Sequence, residues 1–402
     1  MLSQGAVPLA GASAQVGQAG GQAGGQAGGQ GGGQGGGQGG VQGGPARQLS
    51  ALDEGTRVGT QDAEQAPAWS AAVTAAIEAQ MSRDGIPGLS CAIGVGNEVP
   101  FRRGFGLADI ENAVPASPAT VYRLASISKP ITAILAMQLA EAGKLDLDRD
   151  VHELVPEWPE KQWPVTTRQL LAHLGGVRHY RGEGESTRHY DTQTQALERF
   201  AQDALLHEPG TRYHYSTYGY NLVAAVVEAT AKQPFARVVH ERVAGPGGAT
   251  TLQDDDVQRV IRGRAQGYVR VDGELRNSEL MDSSYKLGGG GLCCTAEDLV
   301  RVVQTLMAGK LVKKETLAAM WTPQKLRDGT AIDYALGFRV EQREGRRAVS
   351  HGGAQSRVST MLYVLPDESH VTTVVLLCNL EKVRLQPLAE KIAALVGQSG
   401  QR

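Results

Sequence analysis

The chain has 402 residues, of which 41% are hydrophobic and 20% are charged, and its formal net charge is -2 at pH 7. This length and composition are enough for one large domain, or two small ones, with a sizeable core. The near-neutral charge and the lack of a basic, aromatic-rich stretch argue against nucleic acid as a partner. No apolar run reaches the roughly 18 residues that a membrane span needs, so none is expected.

The first part of the chain has low complexity. Residues 1–44 contain 19 of the 52 glycines. Such a composition cannot bury a core, so we predict that residues 1–66 are a disordered tether and linker rich in glycine and glutamine. The small residues at 12–14 are typical of an export cleavage site, but the first basic residue is Arg47, whereas an export signal begins with positive charge. The location stays open, with an extracytoplasmic or secreted one favoured over the cytoplasm.

Residues 67–398 alternate between helical and strand patterns, and we predict that they form one domain. The pattern predicts a helix at 68–84, strands at 89–97 and 100–109, an amphipathic helix at 126–143, a mostly helical insertion at roughly 140–245, strand-like runs at 267–273, 335–342, 359–366 and 370–380, and a last helix at 387–397. This order indicates an α+β fold, in which helices flank an antiparallel sheet and a helical region is inserted.

A serine and a lysine stand three residues apart at the start of the fourth predicted element. Ser126 and Lys129 would share one face of the helix, and the unpaired N–H groups of its N-terminus favour negative charge. A partly desolvated lysine has a lowered pKa, and its neutral amine accepts the proton of a serine that attacks a carbonyl. The alternative is that Ser126 is an ordinary helix cap, and the spacing alone does not decide between the two.

The same spacing recurs at Ser283 and Lys286. Four glycines follow at 288–291, and glycine disfavours a continuing helix, so we expect neither a helix dipole nor a shared face there. The glycines also lack the strand, lysine and helix of a nucleotide-binding loop, and they indicate a close approach of two backbone segments. Ser126 is therefore the better candidate nucleophile.

Two further motifs follow in the chain. A Tyr-Ser-Thr at 215–217 precedes an apolar helix, and a His-Gly-Gly at 351–353 opens a strand. With the Ser-x-x-Lys, these motifs resemble, in their order, the serine β-lactamase and penicillin-binding protein superfamily. The blocks RLASISK, EAGKLDLD, SSYKLGGGGL and MWTP are most similar to its lactamase-beta serine-protease-like branch, over roughly residues 67–398. The resemblance implies a β-lactamase/DD-peptidase-like fold, and a mitochondrial location if the chain is eukaryotic.

The resemblance also implies a metal-independent serine hydrolase that needs no cofactor and works through an acyl-enzyme. Ser126 would attack a carbonyl, and Lys129 and Tyr215 would share the work of the general base. The weakly acidic phenol of Tyr215 would need its pKa lowered by nearby cations, which Lys129 and His351 could supply.

A substrate-binding edge is implied as well. The backbone N–H groups of Ser126 and Ala354 would hold the oxyanion of the tetrahedral intermediate. Gly353 would be small so that substrate can lie along the strand, and a peptide-like substrate could pair there as an added strand.

The sequence departs from the superfamily pattern at two positions. Thr217 stands where the superfamily has asparagine, and His351 stands where many members have lysine. We therefore expect weak handling of carboxylate-bearing β-lactams, and a change of activity between about pH 6 and 8 if His351 has an ordinary pKa. His173 is expected to have a structural hydrogen-bonding role, and Tyr218 to be a core aromatic.

The sequence thus predicts a serine hydrolase acting on peptide-like or ester substrates. Peptidase activity ranks above esterase activity, and β-lactamase or D-Ala-D-Ala carboxypeptidase activity ranks below both. The alternative is a catalytically weak or inactive scaffold that forms a homo-oligomer or filament. The resemblance to the lactamase-beta branch implies this alternative, because filament formation is attributed to that branch. The presence of Lys129 and Tyr215 favours the enzyme, because a scaffold needs neither.

Overall fold

The computed structural model describes residues 66–180, 187–343, 345–366 and 371–399, so the predicted tether lies almost wholly outside the described residues. The helices are α1 (Ser70–Asp84), α2 (Ser128–Glu141), α3 (Thr167–Leu171), α4 (Gln193–Ala196), α5 (Thr217–Ala231), α6 (Phe235–Val239), α7 (Gly245–Gly247), α8 (Leu287–Gly290), α9 (Ala296–Met307), α10 (Lys314–Met320) and α11 (Gln386–Ser399). Within these ranges, no helix has both the length and the apolar character needed to cross a membrane.

The strands are β1 (Gly88–Val95), β2 (Glu98–Asp109), β3 (Val114–Pro115), β4 (Tyr122–Arg123), β5 (Gln253–Asp254), β6 (Tyr268–Val271), β7 (Glu274–Asn277), β8 (Leu292–Cys294), β9 (Arg339–Arg343), β10 (Arg346–Gln355), β11 (Val358–Pro366) and β12 (Val371–Cys378). Among the described residues, seven of them form one sheet in the order β3-β2-β1-β12-β11-β10-β9, and every pairing is antiparallel. β4, β8 and β5 form a small second sheet, and β6 and β7 form a hairpin.

Both faces of the large sheet are covered, and this explains why its central strands β1, β11 and β12 read as nearly continuous apolar runs. Successive side chains of a strand point to opposite faces. On β11, Met361 and Tyr363 join a cluster with α1 and α11, whereas Leu362 and Val364 join the larger cluster that contains α2 and α5. Helices therefore flank an antiparallel sheet, and the predicted α+β class is confirmed.

Several predicted elements differ in detail. The helix predicted at 126–143 is α2, which is buried on nearly all sides and is not amphipathic. The strand-like run at 335–342 is a strand only from Arg339, in β9. The glycine run at 288–291, predicted to stop a helix, contains one short helical turn, α8. In each case packing against the core overrides the local preference of the sequence.

The helix α5 carries the second motif into the core. Ser216 caps its N-terminus, because the Ser216 hydroxyl accepts a hydrogen bond from the backbone N–H of Gly219 at 2.8 Å. The helix is buried along most of its length and lies against α2 and α8. This packing brings the residues at 215–217 beside the start of α2, where Ser126 lies.

Candidate active site

Ser126 lies in a single 3-10 turn, Ala125–Ile127, that leads directly into α2. The residue before it, Ala125, has a φ of +48°, a left-handed conformation that costs energy for a residue with a Cβ and often marks functional sites. Ser126 is half-buried, whereas its neighbours on both sides are buried. The turn thus exposes this serine two residues before the start of a buried helix.

Lys129 is completely buried and points back to the turn. Its Nζ lies 3.0 Å from Ser126 Oγ, 3.2 Å from Thr217 Oγ1 and 2.7 Å from the carbonyl oxygen of Gly289. Burial, and secondarily the charge of Lys286, hold the pKa of Lys129 well below its usual value. The structure therefore brings Ser126 and Lys129 into hydrogen-bonding distance, with a lysine that is readily deprotonated.

The glycine run lets a backbone carbonyl reach this lysine. A Cβ at Gly289 would lie 2.4 Å from Thr217 Cγ2 and 2.7 Å from Asn221 Oδ1, so a larger residue would push α8 away from α5. The close backbone approach that the glycines indicated is present, and it places the Gly289 carbonyl against Lys129.

Tyr215 is half-buried next to the serine and lysine. Its ring centroid is 4.9 Å from Lys129 Nζ and 4.2 Å from the ring centroid of His173. Burial raises the pKa of Tyr215, and its interaction with the Ser126 hydroxyl offsets this only in part. The expected lowering of its pKa by cationic Lys129 and His351 is therefore wrong, because burial lowers the pKa of both these groups and disfavours their charged forms.

Two histidines accept hydrogen bonds from the backbone of the Tyr-Ser-Thr motif at 215–217. The backbone N–H of Ser216 donates to His173 Nδ1 at 3.1 Å, and that of Thr217 donates to His179 Nδ1 at 3.1 Å. Burial holds the pKa of His173 well below its usual value, so the ring stays a neutral acceptor. The predicted structural role of His173 is confirmed. Tyr218 is a fully buried core residue, as predicted.

His351 is also held neutral. Its Nδ1 lies 2.8 Å from the Gly352 carbonyl oxygen, which can only accept, so Nδ1 carries the hydrogen. Its Nε2 lies 2.9 Å from the Tyr334 hydroxyl, which then donates to it. Burial, followed by the charge of Lys129, lowers the pKa of His351 to about 3. The ordinary pKa assumed for this residue is wrong, and so is the titration expected between pH 6 and 8.

Tyr334 is a site residue that the sequence did not reveal. It is buried directly before the strand-like run at 335–342, and its hydroxyl fixes the ring of His351. A buried tyrosine hydroxyl usually has a hydrogen-bond partner, but its identity depends on chain folding rather than on local pattern.

We expect His351 to weaken the fold at acid pH. Its pKa is about 3 in the folded chain and about 6.5 when unfolded, so the unfolded chain binds more protons between these values. The free energy of unfolding keeps its full value above about pH 6.5. As the pH falls from there toward 3, it decreases by about 1.4 kcal/mol per pH unit. Urea unfolding at pH 6 and pH 5 should show a smaller loss for His351→Asn than for wild type. His240→Asn, at an exposed histidine, is the control. Equal losses of unfolding free energy in wild type and both variants would contradict the prediction.

The strand β10 presents an open edge beside the serine turn. β10 pairs with β11 as far as Gln355, but its pairing with β9 stops at Ser350 and Arg339 in the described part of the chain. Gly352 and Ala354, on the unpaired stretch, are exposed. Backbone groups at such an edge can bind an extended chain as an additional strand.

Gly353 allows β10 to lie against the serine turn. A Cβ there would lie 2.2 Å from Thr360 Oγ1 and 2.6 Å from the carbonyl oxygen of Leu124, two residues before Ser126. Thr360 Oγ1 donates to that same carbonyl at 2.9 Å. The predicted need for a small residue thus has a physical reason within the protein, in addition to any room for substrate.

The second Ser-x-x-Lys differs from the first in access. Ser283 is fully buried, and its hydroxyl has no hydrogen-bond partner among the described residues. It cannot meet a substrate without a rearrangement of the core. In the described ranges, no group of three or more His, Cys, Asp or Glu side chains is arranged to hold a metal ion.

The half-exposed Ser126 is hydrogen-bonded to the buried Lys129, and both lie beside Tyr215 and an open strand edge. This arrangement is typical of serine hydrolases in which a lysine acts as the general base. The chain belongs to the Beta-lactamase family, whose family model matches residues 73–397. This family is one of serine hydrolases, and both the predicted superfamily and the predicted fold are confirmed.

Known relatives match most of the chain. It is 29% identical to the serine beta-lactamase-like protein LACTB, mitochondrial, of Homo sapiens, over 77% of this chain and 76% of that protein. It is 27% identical to penicillin-binding protein 4* of Bacillus subtilis, over 71% of this chain and 67% of that protein. The octameric penicillin-binding protein homologue from Pyrococcus abyssi has a TM-score of 0.70 at 23% identity, covering 82% of this chain and 77% of that one.

Proposed function

We propose that this protein is a serine hydrolase that forms an acyl-enzyme on Ser126 and acts on peptide-like substrates, with esters next in rank. The three contacts of Lys129 Nζ carry the proposal. A neutral amine has two hydrogens to donate and one lone pair. The Gly289 carbonyl and Thr217 Oγ1 can take the two hydrogens, and the lone pair then faces the Ser126 hydroxyl. The contacts fit a base that is ready to accept the serine proton.

The reaction follows from this arrangement. Ser126 Oγ bonds to the substrate carbonyl carbon while Lys129 Nζ takes its proton. The tetrahedral intermediate collapses and expels an amine or alcohol, which takes a proton from the Tyr215 phenol, and Tyr215 regains one from the Lys129 ammonium. Water then attacks the acyl carbon, with Lys129 accepting its proton, and the carboxylic acid leaves as Ser126 regains its hydrogen. A phenol of raised pKa suits Tyr215 to this role, because it holds its proton until the leaving group requires it.

The position of β10 supports a peptide-like substrate. We assign the oxyanion to the backbone N–H groups of Ser126 and Ala354, and the substrate chain to the open edge that ends at Gln355. Two features support weak handling of carboxylate-bearing β-lactams. Thr217 already bonds to Lys129, and His351 is neutral at physiological pH.

The proposed function is tested with matched substrates. An anilide and a nitrophenyl ester with the same acylated dipeptide are compared with a chromogenic cephalosporin, and reactions are quenched in acid for intact-mass analysis. We expect turnover of the anilide and the ester, slower turnover of the cephalosporin, and an acyl adduct on the peptide that contains Ser126. Absence of turnover and of any adduct with all three substrates would overturn the proposal.

An assembly role is the second candidate, and it is favoured by one observation. The Pyrococcus abyssi homologue is octameric, so a relative with this fold assembles. The two functions differ in what they require of Ser126, because a scaffold tolerates its replacement and a hydrolase does not. Mass photometry of wild type and Ser126→Ala shows whether assembly occurs and whether it is independent of the serine.

A further inference from the structure

One aromatic ring beside the active site is open to solvent. Tyr213 is 37% exposed, and no other tyrosine, tryptophan or phenylalanine in the described ranges is as exposed. It lies two residues before Tyr215, in the segment that leads into α5. Aromatic side chains carry a large apolar surface, and such surface commonly lines the places where proteins bind small ligands. The exposed ring therefore offers apolar surface to a bound molecule.

Tyr213 is held in place by two other rings of the site. Its ring centroid lies 5.9 Å from that of His173, in an edge-on contact, and 6.0 Å from that of Tyr334. The ring of His173 lies 4.2 Å from that of Tyr215, and the Tyr334 hydroxyl is 2.9 Å from His351 Nε2. Ring contacts at these separations are favourable. Tyr213 thus joins the same aromatic cluster as Tyr215 and His351.

This cluster stands where the open edge of β10 ends. The strand β9 begins at Arg339, which pairs with Ser350 of β10, and Tyr334 forms an isolated bridge with Arg339. From His351 onward β10 is not paired with β9 in the described part of the chain. A substrate strand bound along the open edge therefore reaches Tyr334 and Tyr213 at its His351 end.

The leaving group of the proposed reaction lies on this side. In that reaction the Tyr215 phenol gives its proton to the departing amine or alcohol, so the leaving group lies beside Tyr215. The ring of Tyr215 is 6.4 Å from that of His351, and Tyr213 and Tyr215 pack on the same ring, that of His173. The substrate residue that follows the scissile bond is therefore the one whose side chain meets Tyr213.

The surface that Tyr213 offers is neutral. Burial raises the pKa of its phenol, and the positive charge of Arg339 offsets this only in part. A positive charge on this side opposes a cationic substrate side chain, whereas a neutral ring favours another aromatic ring in an offset or edge-on arrangement.

We propose that Tyr213 is a specificity-determining residue: its ring and that of Tyr334 form a subsite for an aromatic side chain on the residue that follows the scissile bond. The proposal rests on the proposed function, because it concerns the substrate of that reaction. It narrows the substrates to peptide-like chains that carry phenylalanine, tyrosine or tryptophan directly after the bond that is cleaved.

The test uses three peptide amides with the same acylated residue, in which the leaving group is the amide of phenylalanine, alanine or lysine. All three form the same acyl-enzyme, so differences in kcat/KM report on the leaving group and not on deacylation. We expect wild type to favour phenylalanine over alanine about tenfold, as for one favourable ring pair. Tyr213→Ala should lose this preference, whereas Tyr213→Phe keeps the ring and should keep the preference.

Val114→Ala is the matched control. Val114 is also exposed, and it lies on β3, at the opposite edge of the large sheet from β9. This variant should keep the wild-type preference for phenylalanine. If thermal unfolding shows that Tyr213→Ala does not fold, Tyr213→Leu is measured in its place, because it keeps apolar volume and lacks the ring.

The outcomes separate this proposal from the proposed function. The subsite is overturned, and the hydrolase stands, if wild type favours alanine or lysine, or if Tyr213→Ala lowers kcat/KM for all three amides by one common factor. The same holds if wild type releases none of the amines but a fluorophosphonate probe labels Ser126. A wild type that neither releases an amine nor is labelled overturns the hydrolase and this proposal with it.

Discussion

We expect Ser126→Ala to lose its adduct with a fluorophosphonate probe, whereas Ser283→Ala keeps the wild-type adduct. The first serine is half-exposed with Lys129 Nζ at 3.0 Å, and the second is fully buried. Turnover should fall with the adduct, because removing the nucleophile of a serine hydrolase costs on the order of 10⁶-fold in rate. Intact mass before and after labelling measures the stoichiometry, which should be one probe for each chain.

The two serines make a matched pair, since each begins a Ser-x-x-Lys in the same chain. An adduct that remains in Ser126→Ala would place the nucleophile elsewhere. A wild type that stays unlabelled at every pH from about 6 to 9 would favour the scaffold. Thermal unfolding of both alanine variants ensures that a lost adduct does not reflect a lost fold.

The sequence could place the main components of the site because their geometry is local. A spacing of three residues puts Ser126 and Lys129 within reach of one another in any helical or 3-10 turn. Tyr215 stands two residues before a strongly apolar helix and Thr217 is its first residue, so both lie at its N-terminus beside the core. The positions of these groups follow from short-range patterns, which a single sequence contains.

The protonation states could not be predicted in the same way. The phenol of Tyr215 and the ring of His351 have the pKa values that burial gives them, and burial depends on segments far apart in the chain. Tyr334 and the Gly289 carbonyl reach the site only after the sheet and helices have packed. From the sequence, Lys129 and His351 were expected to be cations beside Tyr215. In the folded protein both groups are buried away from water, and burial favours their neutral forms.

We expect Lys129→Met to lose hydrolysis by about 10²- to 10⁴-fold or more, the range that a general base contributes. The same variant should lose a pH dependence of stability. The pKa of Lys129 is lower in the folded chain than its unfolded value of about 10.4, so the unfolded chain holds the extra proton between the two values. Over that window the free energy of unfolding of wild type rises with pH by about 1.4 kcal/mol per unit, and it falls again as the pH is lowered.

Urea unfolding of wild type and Lys129→Met at pH 8 and pH 9 measures this slope, and methionine at the exposed Lys144 is the control. If Lys129→Met loses both its activity and the pH dependence of its free energy of unfolding, the neutral amine of buried Lys129 is the base. Neither disordered packing nor a missing hydrogen bond would by itself remove that pH dependence, because it comes from a proton that only the unfolded chain binds. Lost activity with an unchanged slope would mean that Lys129 is charged in the folded protein. The Ser126 proton would then have to pass to another group, and Tyr215 is the phenol that lies against the serine.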